Sequence, residues 1–164
     1  MFKLFYPCEY VDSVFQIDYQ ELFNKGYRGL IFDIDNTLVH HGEDATREIE
    51  ELFIIIQHIG FKTLLLSNND EARVKRFLRN IDSLYICDAR KPHVDNFIKA
   101  VKMMGINKEE AIVVGDQIFT DILGANKSKL FSILVKYIRA DGETKIGKKR
   151  QLERIILWFY QKNR

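Results

Sequence analysis

Residues 29–39 read Gly29-Leu30-Ile31-Phe32-Asp33-Ile34-Asp35-Asn36-Thr37-Leu38-Val39. An apolar run stops abruptly on two carboxylates one residue apart, with a hydroxyl two residues later. A short apolar run ended by a turn has the pattern of a strand buried on both faces, which a covered parallel sheet provides. In such sheets ligands sit outside the carboxyl ends of the strands. Asp33 and Asp35 therefore fall where a substrate binds. Two carboxylates held that close repel each other, and a hard cation such as Mg²⁺ relieves the repulsion. Taken alone, the stretch reads equally well as an Asx turn after a strand. The downstream sequence decides between the two.

The first 27 residues read as two helical pieces, with Asp18-x-x-Glu21 as a capping box and Gly26 as a stop. Strands and helices then alternate. Strands are expected over 28–33, 61–67, 84–87, 111–115 and 131–137. Ile49, Leu52, Phe53 and Ile56 mark a helix closed by Gly60, and Val74, Phe77, Leu78 and Ile81 mark the next. Val94, Phe97, Ile98 and Val101 mark another, 118–125 is a short one, and a last helix covers roughly 148–161. This alternation predicts an α/β fold: a Rossmann-like parallel sheet with helices on both faces.

The other strand ends carry matching chemistry. The second runs into Ser67-Asn68-Asn69, the third leads to Lys91, and the fourth ends Gly115-Asp116 with Thr120 and Asp121 just beyond. Singly these are commonplace: a cap serine, a surface lysine, a turn pair. Together they place carboxylates, a hydroxyl, amides and a lysine on one edge. Phosphoryl transfer needs that inventory: a nucleophile, a cation site and donors for the equatorial oxygens.

Asp33-x-Asp35-x-Thr37, Ser67, Lys91 and Gly115-Asp116-x-x-x-Thr120-Asp121 resemble the four motifs of the haloacid dehalogenase (HAD) superfamily, in order, across residues 28–138. Asn36-Thr37-Leu38-Val39, Ser67-Asn68-Asn69 and Gly115-Asp116-Gln117 resemble its subfamily IIIA, the YqeG-type phosphatases, as does the stretch with Pro7, Tyr10-Val11 and Ile17-Asp18. That family is similar to the phosphatidylglycerophosphate phosphatases. The resemblance implies a Mg²⁺-dependent phosphomonoesterase. Asp33 is then the nucleophile that forms an aspartyl-phosphate, and Asp35 the acid and base. Asp33, the main-chain carbonyl of Asp35, and Asp116 hold the metal. Ser67, Asn68 (through its backbone) and Lys91 bind the phosphoryl group. Thr37 orients the first loop and Asp121 supports Lys91 or a metal-bound water. Asn36 stands where many relatives have Gly.

About thirty residues separate Asp35 from Ser67, and fewer separate Ser67 from Lys91. Neither gap has room for a cap domain, so one capless domain over 1–164 is expected, with an open site suited to a large substrate. Two cysteines, Cys8 and Cys87, make no disulfide framework and point to a reducing cytoplasm. Glu9 and Asp12 spoil the amino terminus as a signal peptide. The net charge of +2 divides into +6 for 145–164 (seven basic residues and Glu153) and −4 for the rest. The basic tail carries Leu152, Ile155, Ile156 and Phe159 as a core-facing stripe, with Leu157, Trp158 and Tyr160 beyond it. It packs on the core, pairs with a second subunit, or lies peripherally on an anionic membrane. His40-His41 reads as loop.

The expected substrate is therefore a phosphorylated one, phosphatidylglycerophosphate first, with protein, nucleotide or sugar phosphates as alternatives. A non-catalytic phospho-ligand or RNA-binding module is the rival from another class. The Asp33/Asp35 pair argues against it, because binding alone needs no nucleophile and acid. In a response-regulator receiver the lysine comes late in the chain, whereas Lys91 precedes the last acidic pair.

Overall fold

A computed structural model describes residues 2–139, 142 and 146–163. The tail cations Lys145 and Arg164 lie outside the described residues. The strands are β1 (Glu9–Val11), β2 (Gly29–Phe32), β3 (Lys62–Leu66), β4 (Leu84–Ile86), β5 (Ala111–Gly115) and β6 (Phe131–Val135). They form one all-parallel sheet in the order β1-β6-β5-β2-β3-β4. The helices are α1 (Tyr19–Asn24), α2 (Arg47–Ile59), α3 (Glu71–Phe77), α4 (Val94–Met104), α5 (Leu123–Lys127) and α6 (Lys148–Lys162).

The apolar run of β2 is unbroken because both its faces are covered. Leu30 and Phe32 point to the side packed by Ile49, Phe53 and Ile56 of α2, and Val74 and Phe77 of α3. Ile31 points to the opposite side, onto Phe97, Ala100 and Val101 of α4. Each such side chain contributes about 1.5–3 kcal/mol on burial. Thr46 caps α2 by accepting from the Ile49 amide at 3.3 Å, and Gly60 ends it with φ 119°. β2 lies between β3 and β5, so the residues after these three strands become neighbours about one strand spacing apart.

Two expectations need correction. The first 27 residues are not simply helical. Glu9–Val11 form a strand that pairs in parallel with β6 and extends the sheet at its edge. Short 3₁₀ turns flank it, and α1 has only six residues. The face of α6 also differs. Glu153, Ile156 and Tyr160 are the buried residues of α6, while Leu152, Ile155, Trp158 and Phe159 stay about half exposed. The buried set sits one position later in the helical repeat, drawn there by the polar contacts of Glu153. No helix among the described residues is long and apolar enough to cross a membrane.

Candidate active site

β2 keeps its ladder through the Asp33 amide, which donates to the Val114 carbonyl at 3.0 Å, and then turns sharply. Asn36 takes φ 63°, a left-handed value that Asn tolerates better than most residues. This suits an Asn at the position. The turn returns at Val39, whose carbonyl accepts from the Asn36 amide at 2.7 Å. Asp33 is thereby aimed over the sheet edge and Asp35 to one side of it.

Asp33, Asp116 and Asp121 each offer a carboxylate oxygen within 4.8 Å of the others. Lys91 enters from the β4–α4 connection. Its Nζ donates to Asp33 Oδ1 at 2.7 Å and to Asp121 Oδ1 at 2.6 Å. The Thr37 Oγ lies 3.1 Å from Asp33 Oδ2 and 3.0 Å from Asp116 Oδ1, and donates its one proton to either. Asp121 stands in a single π-helical turn, Ile118–Ile122, a form of helix common at functional sites. Gly115 is needed here because a Cβ on it would fall 2.4 Å from the Asp121 carboxylate.

Burial pushes the Asp116 carboxyl well above its usual range. The charges of Asp33 and Asp121 add to this, and Arg150 opposes it. Asp121 is raised to about 6, by burial first, with Lys91 pulling the other way. Burial alone would lower Lys91, but Asp121 and Asp33 outweigh it and hold the ammonium charged. The cluster is thus short of positive charge where three acids meet. Its donors are all hard oxygens, which fits a small divalent cation. Lys91 takes one oxygen each from Asp33 and Asp121, so Asp116 and the second oxygen of Asp33 are best placed for such an ion. The Asp35 carboxylate is not in this cluster, which leaves its main-chain carbonyl as the ligand expected of it.

Asp35 is held differently. Its Oδ1 accepts from the Gly42 amide and from Arg73 Nη2, both at 2.8 Å, and its Oδ2 from Asn69 Nδ2. Burial raises its pKa, but Gly42, Arg73 and Asn69 together bring it below the usual carboxylate value. This set stabilises the fold above the unfolded value of about 4 and is lost as pH falls through the depressed one. Replacing Arg73 by Met removes a hydrogen bond and a charge, so the Asp35 carboxyl should titrate at higher pH. A ¹³C titration of that carboxyl measures it; an unchanged curve would mean that Gly42 and Asn69 suffice.

Ser67 is fully buried. Its Oγ accepts from the Asn69 amide at 3.1 Å and Nδ2 at 3.0 Å, leaving its own proton with no acceptor among the described residues. Asn68 Oδ1 accepts from the Lys91 amide at 2.8 Å, tying two strand ends together. Asp33, Asp35, Asn68, Asn69, Lys91 and Thr120 border a cavity of about 150 Å³. His41 stands at its rim, its Nδ1 4.0 Å from Asp35 Oδ2.

Several residues at the site have no part in the sequence-based assignment. Asn69 and Arg73 grip Asp35. Arg150 and Glu153 come from α6. Arg150 Nη1 donates to the Asp116 carbonyl at 2.7 Å and to Glu153 Oε2 at 3.0 Å, and its Nη2 pairs with the Asp116 carboxylate. Glu153 Oε1 accepts from the amide of Ile118 at 2.8 Å, where the π turn begins. A lone acid in a basic tail was the one clue to this bridge. Glu153→Ala strands the buried Ile118 amide and removes one of Arg150's two acidic partners, so it should cost about 2 kcal/mol, read as a lower denaturant midpoint. A loss under 0.5 kcal/mol, the ordinary range for surface changes, would mean the bridge is incidental.

Residues 43–129 match the family described as haloacid dehalogenase-like hydrolase. A Bacillus subtilis protein named "probable phosphatase YqeG" is 38% identical over 94% of this chain and 91% of its own length. The Arabidopsis thaliana phosphatidylglycerophosphate phosphatase 1 is 26% identical over 92% of the chain, which spans only 47% of that relative. Among solved structures, the cobalt-bound deoxy-D-mannose-octulosonate 8-phosphate phosphatase of Haemophilus influenzae shares the fold. It aligns with a TM-score of 0.53 at 14% identity, over 84% of this chain and 91% of that one. Sequence and architecture thus agree: the chain belongs to the haloacid dehalogenase-like hydrolases and is a phosphatase of that family.

Proposed function

We propose that this phosphatase is a Mg²⁺-dependent phosphomonoesterase working through an aspartyl-phosphate on Asp33, and that its substrate is phosphatidylglycerophosphate. The observation that carries the chemistry is the contrast between the two acids. Lys91 and Thr37 position the oxygens of Asp33, while Asp35, facing the same cavity, is held by a separate set of donors. One carboxylate is set for attack and the other for proton transfer.

An Asp33 oxygen bonds to phosphorus as the ester P–O bond breaks, and Asp35 delivers a proton to the leaving oxygen. Water then attacks the aspartyl-phosphate, Asp35 takes its proton, and Asp33 is freed with release of inorganic phosphate. Lys91 neutralises phosphoryl charge, and Ser67 and the Asn68 amide donate to its oxygens. Asp33, the Asp35 carbonyl and Asp116 hold the cation, which supplies charge stabilisation to the phosphoryl oxygens. Asp35 starts ionised at neutral pH, so the proton it delivers is taken up as the anionic substrate binds beside it.

The lipid assignment has three supports. One is the likeness to the Arabidopsis enzyme. Another is the absence of any inserted unit between β2 and β3 or between β3 and β4 among the described residues, which fits a capless domain over 1–164 with an open site. The third is the face of α6, where exposed Leu152, Ile155, Trp158 and Phe159 adjoin Lys148, Lys149 and Arg154. An apolar ridge with basic flanks suits peripheral contact with an anionic bilayer from the cytoplasm.

A screen of lipid, nucleotide, sugar and phosphopeptide monoesters, with and without Mg²⁺, tests the substrate. Vesicles test the surface. Arg150 is excluded from that test, because it holds Asp116. Each cation near an anionic surface contributes about 1 kcal/mol, so Lys148→Gln with Lys149→Gln should weaken vesicle binding about thirtyfold. No binding to anionic vesicles by the intact protein would move the assignment to a soluble phosphomonoester.

A further inference from the structure

A second cavity, of about 420 Å³, lies between α6 and the carboxyl ends of β5 and β6. Asp116 is in its wall, so it abuts the phosphoryl site. The phosphoryl cavity itself, about 150 Å³, is smaller than the usual ligand pocket and leaves the rest of a substrate to lie elsewhere.

The larger cavity carries more cations than acids in its wall. Lys136, Arg139, Arg150 and Arg154 line it against two carboxylates, Asp116 and Glu153. Arg150 already pairs with both acids. Lys136, Arg139 and Arg154 have no acidic partner among the described residues. Surface cations usually stand scattered in water, but these three line one concavity. Tyr137 organises it. Its ring lies 5.3 Å from the Arg139 Cζ and 4.6 Å from the Arg150 Cζ, and its phenol oxygen accepts from Arg139 Nε at 2.7 Å. Ile118, Leu134 and Leu157 supply apolar wall. The Arg139 guanidinium, held by Tyr137, is well matched to phosphate oxygens.

We propose that this cavity is a second-anion subsite, in which Lys136, Arg139 and Arg154 bind a phosphodiester or second phosphate on the same molecule whose phosphomonoester reaches Asp33. The proposal rests on the phosphatase reading above and narrows its substrate class to esters bearing two separated phosphoryl anions.

Two pairs of soluble esters test it without a bilayer. Glycerophosphoglycerol phosphate carries a phosphodiester that glycerol 3-phosphate lacks. Adenosine 3′,5′-bisphosphate carries a second phosphate that adenosine 3′-phosphate lacks. The intact protein should show a KM about tenfold lower for the second-anion member of one pair, the scale of a charge-assisted hydrogen bond. Preference in the glycerol pair supports the subsite with a lipid headgroup as its source, and preference in the nucleotide pair supports it with a nucleotide. Arg139→Gln with Arg154→Gln, both exposed positions, should cut that preference to about twofold or less. Equal KM within both pairs, or a preference that survives the double substitution, overturns the subsite. Calorimetry with glycerophosphoglycerol, which has the diester and no monoester, separates the two readings. Binding that weakens about tenfold in the double variant and falls with added salt supports the subsite even if no ester is turned over. That combination would overturn only the phosphatase mechanism.

Discussion

Asp33→Asn is expected to lose turnover of every phosphomonoester by about 10⁴-fold or more, the scale on which removing a covalent nucleophile acts. The amide keeps the shape of the side chain and can still meet Thr37. It cannot attack phosphorus, and it gives up a charge that both Lys91 and a cation use. Thermal unfolding should remain cooperative, because Asp33 lies at the end of β2 rather than in either hydrophobic layer. Rapid-quench trapping of phosphoprotein should succeed with the native chain and fail with this variant. Near-normal turnover in Asp33→Asn would sink the aspartyl-phosphate route and leave a water attack directed by Asp35 as the alternative.

Chelation by EDTA should abolish activity, and Mg²⁺ should restore it. The reason is electrostatic. Asp33, Asp116 and Asp121 stand within 4.8 Å of one another, and Lys91 and Arg150 are already committed among them. A divalent ion relieves the repulsion that adds to burial in lifting Asp116. It should therefore also stabilise the fold, by about 2.7 kcal/mol at a hundred times its Kd, seen as a rise in melting temperature. Asp116→Ala should need much more Mg²⁺ for the same rate and lose most of that thermal shift. Activity that survives thorough chelation, with no shift on adding Mg²⁺, would mean the three acids serve only to seat Lys91.

Much of this architecture is legible in the residues. The strands β2 to β6 announce themselves as apolar runs closed by turn formers, and their order puts Asp33, Ser67, Lys91 and Asp116 on one edge. Three features were not. β1 is three residues long, follows Pro7, and carries no period of its own; it is a strand only because β6 offers it an edge. The face of α6 was ambiguous, since residues 152, 155, 156 and 159 and residues 153, 156, 157 and 160 both follow helical spacing. Glu153 made the second set look solvated. What buries it is a guanidinium and an amide supplied from elsewhere, which periodicity does not register. Arg73 was hidden for the same reason: it lies 38 positions from Asp35, with nothing nearby in sequence to link them.

The edge position of β1 sets a timetable for synthesis. The Cys8 amide meets the Ser132 carbonyl, and Asn126 reaches back to the carbonyls of Leu4 and Tyr6, contacts spanning more than a hundred positions. At about 5–20 residues per second, β1 leaves the ribosome on the order of ten seconds before the strand that holds it. Through that interval Glu9–Val11 have no sheet to join. The acids of the site are likewise without Arg150 until residue 150 has emerged. A chain still being translated therefore carries Asp33 and Asp35 long before it carries the bridge that anchors Asp116, which forms only as α6 docks.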